Sequence, residues 1–154
     1  MKKEIERRFL VIREKLPKLT RGQKIVQGYL STDPVVRVRV KNSNSYLTLK
    51  FRKEKVNHEF EYKIPLRDAQ KLLTECKFKI EKNRYLFKLN GNILEIDFFE
   101  GENSGLIITE VEFPNLNTYF QKPLWLGKEI TDDEKYFNAN LAQRPYLRWG
   151  TKIS

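Results

Sequence analysis

Glu4, Glu6 and Arg8 stand two residues apart at the start of the chain, and that spacing recurs. Arg37 pairs with Arg39, Lys50 with Arg52, Glu59 with Glu61 and Lys63, Lys82 with Arg84, Glu95 with Asp97, and Glu110 with Glu112. In an extended strand, residues i, i+2 and i+4 share a face, so each row is a line of charge along one side of a strand. Carboxylates in such rows are hard oxygen ligands for divalent cations, and guanidinium groups offer two-pronged donors suited to phosphate. The signs are segregated: acidic pairs fall on the first, fifth and eighth candidate strands, basic pairs on the third, fourth and sixth. Like charges at this spacing repel unless an opposite charge lies between them. One histidine, His58, and one cysteine, Cys76, leave no zinc ligand set and no Ser–His or Cys–His nucleophile.

Strands must carry these rows, and period-2 alternation marks eight of them, at 3–12, 25–31, 35–41, 46–54, 58–64, 77–88, 92–100 and 106–113. Their other faces are apolar, as in Val36, Val38 and Val40 or Leu94, Ile96 and Phe98. Polar turns at 42–45, Asn90-Gly91-Asn92 and 101–104 separate several of them. Leu66, Ala69, Leu72 and Leu73 recur at helical spacing and predict a helix over 66–75. A second helix is expected over 132–141, with Thr131 as its N-cap, acidic residues in its first turn, and Phe137 and Leu141 four apart. His58 is expected in a loop, Cys76 in the core, and Trp125 and Trp149 on the outer wall. Residues 142–154 read as a short basic tail, docked or frayed.

A sheet with one solvated face would mix Thr, Ser and Gln among its charges. Nearly unbroken charge rows favour instead a closed barrel with a charged interior, which would hold cations at the acidic pairs and an anion at the basic ones.

The 154 residues predict one domain over 1–154, and the 12% aromatic content argues against disorder. A net charge of +10 calls for an anionic partner: nucleic acid, an anionic membrane or a small phosphorylated ligand. No apolar run reaches the ~18–20 residues of a membrane span, and the N-terminus lacks the apolar core of a signal peptide. One cysteine fits a reducing, cytoplasmic setting.

The segment Glu4-Ile5-Glu6-Arg7-Arg8-Phe9-Leu10 resembles the Glu-x-Glu-x-Lys opening of the CYTH superfamily, the triphosphate tunnel metalloenzymes. Further matches follow in order: Gln27-Gly28-Tyr29-Leu30, Arg37-x-Arg39, Leu47-Thr48-Leu49-Lys50, Glu59-x-Glu61, Lys82-x-Arg84-Tyr85, Asp97-x-Phe99 and Glu110-x-Glu112. Ile130-Thr131, Tyr136-x-Asn138 and Leu141-Ala142 resemble the helix that plugs one end of the tunnel. The resemblance implies a mainly β fold, a closed eight-stranded antiparallel barrel with flanking and plug helices.

It also implies roles. Arg8, Arg37, Arg39, Lys50 and Arg84 would grip phosphates, with Tyr29 a further substrate contact. Glu4, Glu6, Glu110 and Glu112 would hold Mg²⁺ or Mn²⁺. Glu59 and Glu61 would hold a second metal or orient the attacking water, and Asp97 would orient a basic residue or ligate metal. Arg8 replaces the usual Lys, and a guanidinium, which keeps its charge in proteins, is a poor proton donor.

The expected activity is metal-dependent hydrolysis of the terminal phosphate of inorganic tripolyphosphate or a related small triphosphate, nucleoside or thiamine triphosphate included. The compact chain leaves little for recognising a base or thiazolium. Class IV adenylyl cyclase activity on ATP, and non-catalytic binding of polyphosphate or RNA 5′-ends, are the alternatives. An RNA 5′-triphosphate is the one nucleic acid expected; no membrane partner is expected, and the chain would act as a monomer or homodimer.

Overall fold

The computed structural model describes residues 1–150. The alternating pattern is realised as strands β1 (Lys2–Val11), β2 (Gln23–Thr32), β3 (Val35–Lys41), β4 (Asn44–Lys53), β5 (Val56–Lys63), β6 (Phe78–Leu89), β7 (Asn92–Phe99) and β8 (Ile107–Phe113). Around the wall they run β5-β4-β3-β2-β6-β7-β8-β1, all antiparallel, and β1 closes the barrel on β5 through Lys2↔Glu59 and Glu4↔Asn57. Closure leaves the charge rows no outer face. They become the lumen.

Two-residue turns join several strands. Asn90 and Gly91 have φ of 50° and 79°, the left-handed pair that matches strand twist. Glu54 and Lys55 adopt the same region, at 50° and 68°, without either residue type that favours it. The tight β4–β5 connection imposes the conformation there.

Helix α1 (Leu66–Glu75) falls where its periodicity predicts, and lies across the outside of β2, β3 and β4. Gly28 permits this approach: a Cβ there would stand 2.8 Å from both Cβ and Sγ of Cys76, which is buried as expected.

Two apolar clusters flank the charged lumen. Outside the wall, Phe9, Leu94, Ile96, Ile107, Val111 and Phe113 are covered by Trp125, Leu126 and Phe120. Inside one end, Tyr29, Ile80, Phe99, Leu106 and Ile108 meet Ile130, Tyr136, Leu141 and Ala142, which form a plug.

Four local expectations need correction. The helix expected over 132–141 is interrupted: a 3-10 turn at Glu134–Tyr136 precedes helix α2 (Asn138–Gln143), and Phe137 between them is extended. The Tyr136 carbonyl accepts from Arg8 Nη2 at 2.8 Å, so it is withdrawn from helical bonding. Thr131 is no N-cap. Its Oγ1 accepts from the Arg8 backbone N–H at 3.0 Å and donates to Glu129 at 2.6 Å. A ninth strand, β9 (Leu126–Glu129), lies along β1 beyond the stretch where β5 pairs.

His58 sits within β5 rather than in a loop. Trp125 packs on the outer wall edge-on to Phe87, whereas Trp149 packs edge-on against Tyr136 and Tyr146 of the plug, with ring centroids 5.1 and 5.2 Å apart. The tail is docked as far as it is described, with Tyr146 N–H donating to Asn103 and Arg148 paired with Glu102. Residues 151–154 lie outside the described residues. Among the described residues, no helix is long and apolar enough to cross a membrane.

Candidate active site

Strand alternation brings Glu4, Glu6, Arg37, Arg39, Lys50, Glu59, Glu61, Arg84, Glu110 and Glu112 to the lining of one cavity of about 1290 Å³. A second cavity of about 580 Å³ lies toward the plug and is lined by Arg8, Tyr29, Phe137 and Asn138, among others. Glu6, Arg37, Lys50, Lys53 and Glu110 border both cavities. Asp97 lines neither.

Register decides which charges face each other. Arg8 lies opposite Glu110, Lys50 opposite Glu59, and Arg84 opposite Asp97. Arg84 donates to both Asp97 oxygens at 2.8 and 2.9 Å and to Glu95 at 3.1 Å, and Lys82 Nζ is 2.9 Å from Asp97. Burial alone would raise the Asp97 carboxyl, but Arg84 and Lys82 outweigh it and hold the group well below the usual carboxylate range. Lys82 shares that one anion with Arg84. Burial, with Arg84 and Arg39 nearby, pushes its ammonium down to about 8. Lys50 reaches Glu59 at 3.5 Å and Glu4 at 3.8 Å. Arg37 Nη2 donates to Thr48 Oγ1 at 3.3 Å and lies 3.7 Å from Glu61, which also accepts from Thr48.

Like charges also meet. Glu6 lies opposite Glu112, and Glu95 opposite Glu110. Burial opposes the charge of Glu110, but Arg8, Arg84 and Lys82 draw its carboxyl down to about 2. Glu6 has no ion pair among the described residues. Burial first, then Glu110 and Glu4, push its carboxyl up to about 7 against the pull of Lys50 and Arg8. Burial raises Glu4 as well.

The folded-state pKa of Glu6 lies above its unfolded value of 4.5. Its contribution to stability is therefore full below about pH 4.5 and is lost as pH rises through about 7. The melting temperature of the metal-free protein should fall across this window by a share that Glu6→Gln removes. Melts of both proteins from about pH 4 to 8 check it; parallel profiles would assign the slope to another group.

Sequence reasoning gave no role to Gln27, Thr48, Lys82, Glu95 or Asn138, which hold the charged side chains in place. Lys82 shares a face with Arg84, a visible signal. The neutral residues were hidden because their partners come from other strands or the plug.

A closed antiparallel barrel walled by opposed acidic and basic rows, with a plug in one end, defines a tunnel lined by charge of both signs. The chain belongs to the CYTH family: the CYTH domain matches residues 2–146. It is 43% identical over 151 residues to a protein of Acetivibrio thermocellus named inorganic triphosphatase, a match covering 95% of this chain and 97% of that one. A Nitrosomonas europaea protein of the same name is 36% identical over 147 residues, covering 90% and 96%. The crystal structure of the inorganic triphosphatase NE1496 is similar with a TM-score of 0.69 and 35% identity, over 92% of this chain and 95% of that one.

Proposed function

We propose that the protein hydrolyses the terminal phosphate of inorganic tripolyphosphate with the help of Mg²⁺ or Mn²⁺. One observation carries this reading: Arg8 Nη1 and Arg37 Nε are buried and have no partner among the described residues. A buried charged donor left unmet costs about 1–3 kcal/mol or more, and an incoming acceptor that reaches both guanidinium groups would recover that cost. Relatives named inorganic triphosphatase support that acceptor being a triphosphate oxygen.

Charge parity in the lumen supports the metal. The larger cavity is lined by Lys2, Lys3, Arg37, Arg39, Lys41, Lys50, Lys53 and Arg84 against Glu4, Glu6, Glu54, Glu59, Glu61, Glu95, Glu110 and Glu112. A bare polyanion would leave this balanced wall strongly negative, so it should enter with cations. Among the described residues no three acidic, His or Cys groups are gathered as a ready ligand cage. That suits Mg²⁺, which is held by one or two carboxylates and completes its shell with water and substrate phosphate. The donor set therefore fits, and one or two carboxylates among Glu4, Glu6, Glu110 and Glu112 would hold the ion. When bound, it would neutralise phosphate oxygens and make the phosphorus more electrophilic.

The remaining chemistry belongs to the chain. Arg37, Arg39, Lys50 and Arg84 grip and align the triphosphate, and Arg8 meets its end nearest the plug. Glu59 and Glu61 accept hydrogen bonds from the attacking water and aim it. Water oxygen bonds to the terminal phosphorus, the bridging P–O bond breaks, and orthophosphate, keeping one proton of the water, and pyrophosphate leave while the other proton passes to solvent or to the leaving oxygen. Asp97 acts through Lys82 and Arg84 as a positioning residue.

The test is a panel of tripolyphosphate, pyrophosphate, ATP, thiamine triphosphate and RNA 5′-triphosphate, each with Mg²⁺ and Mn²⁺. Orthophosphate release fastest from tripolyphosphate is expected. Cyclic AMP from ATP without orthophosphate would overturn the reading.

Arg8 yields a sharper expectation. Its Nε faces Glu110 at 3.3 Å and Nη2 holds the Tyr136 carbonyl, leaving Nη1 for substrate. A lysine cannot serve all three directions. Arg8→Lys should raise KM roughly several-fold with kcat nearly unchanged. A rise in kcat with a new basic limb in the pH profile would instead show that a proton is donated from this position.

A further inference from the structure

Asn138 opens α2 in the plug, and its Oδ1 accepts from Lys82 Nζ at 2.8 Å and Gln27 Nε2 at 3.2 Å. An ammonium only donates, so the amide must show its oxygen to Lys82, and Nδ2 must face away. Gln27 is fixed by the same logic. Arg39 Nε donates to its Oε1 at 3.0 Å, which turns Nε2 toward Asn138 and the Tyr29 hydroxyl at 2.8 Å. Cations on the wall thus orient two neutral amides in series. Asn138 lines the plug-side cavity together with Arg8 and Arg37, whose Nη1 and Nε are unmet. Among the described residues no acceptor meets Asn138 Nδ2 either.

We propose that Asn138 is a phosphate-contacting residue of the plug. Its Nδ2 donates to an oxygen of the phosphoryl group nearest the plug, while its Oδ1 holds Lys82 and Gln27 in place. The plug is then part of the substrate site rather than a stopper. This rests on the tripolyphosphatase reading, in which Arg8 meets the end of the substrate nearest the plug.

Asn138→Asp separates contact from scaffolding. The side chain is nearly isosteric and keeps an oxygen for Lys82 and Gln27, so the plug stays anchored and Tm is unchanged or higher. The donor facing the cavity becomes an anionic acceptor. Tripolyphosphate KM, and its Kd by titration calorimetry in chelator, should rise about tenfold or more, the range for hydrogen bonds to charged groups. Asn138→Ala should raise both and also lower Tm.

A wild-type KM and Kd in Asn138→Asp would overturn the proposal. If that variant does not fold, an unchanged Kd in Asn138→Ala overturns it equally. Wild-type protein that neither binds nor cleaves tripolyphosphate would instead remove the hydrolase reading, and this proposal with it. Wild-type turnover matched by the Asp variant removes only the role of Asn138.

Discussion

Glu4→Gln/Glu6→Gln is expected to lower tripolyphosphate turnover by roughly three orders of magnitude while the barrel stays folded or becomes slightly more stable. The two effects have one cause. Glu6 lies opposite Glu112 across β1–β8, and burial with neighbouring carboxylates already raises both Glu4 and Glu6. Neutral amides relieve that repulsion in the metal-free protein, yet they remove the charged oxygens proposed to hold the metal. Steady-state kinetics at saturating Mg²⁺ or Mn²⁺, beside thermal melts, check both halves. A kcat near that of the wild type would refute the assignment of these carboxylates.

Asp97→Ala should have the largest effect on stability, a loss of about 3–5 kcal/mol. Lys82, Arg84 and Asp97 are 1%, 6% and 1% exposed, so removing the carboxylate strands two cations where water barely reaches. Asp97 is held below its ordinary range, so its contribution is present above about pH 4 and is lost only as pH falls toward its folded-state value. Neutral-pH denaturant titrations measure the loss. A change under about 1 kcal/mol would mean that Lys82 and Arg84 find other compensation, and Asp97 would lose its place as the anchor of that wall.

The strands and the inward rows were legible because a charged lumen and an apolar outer layer must alternate residue by residue. A period of two is a local property, and Asn90-Gly91 and Leu66–Glu75 are equally local signals. The β9 strand was not legible: Leu126–Glu129 is four residues long, with a glycine and two charges, and it pairs only because β5 ends early beside β1. The break at Phe137 was hidden for a similar reason, since Arg8, more than a hundred residues away, takes the Tyr136 carbonyl.

The candidate site divides along the same line. Glu6, Arg37 and Lys50 announce themselves by charge and spacing. Thr48, Gln27 and Asn138 are ordinary polar residues until register and closure bring a guanidinium or ammonium against each.

The two apolar clusters lie outside the wall and in the plug, and the middle of the lumen holds none. Side chains that cover the wall and side chains that line the lumen therefore alternate along the same strands. Inheritance can act on the two sets separately where an inward residue is not part of the buried Lys82–Arg84–Asp97 cluster: a substitution there alters charge and reach while the outer residues keep strand pairing and closure intact. Such a barrel can pass from one phosphorylated substrate to another by inward changes outside that cluster, so its chemistry is free to diverge faster than its architecture.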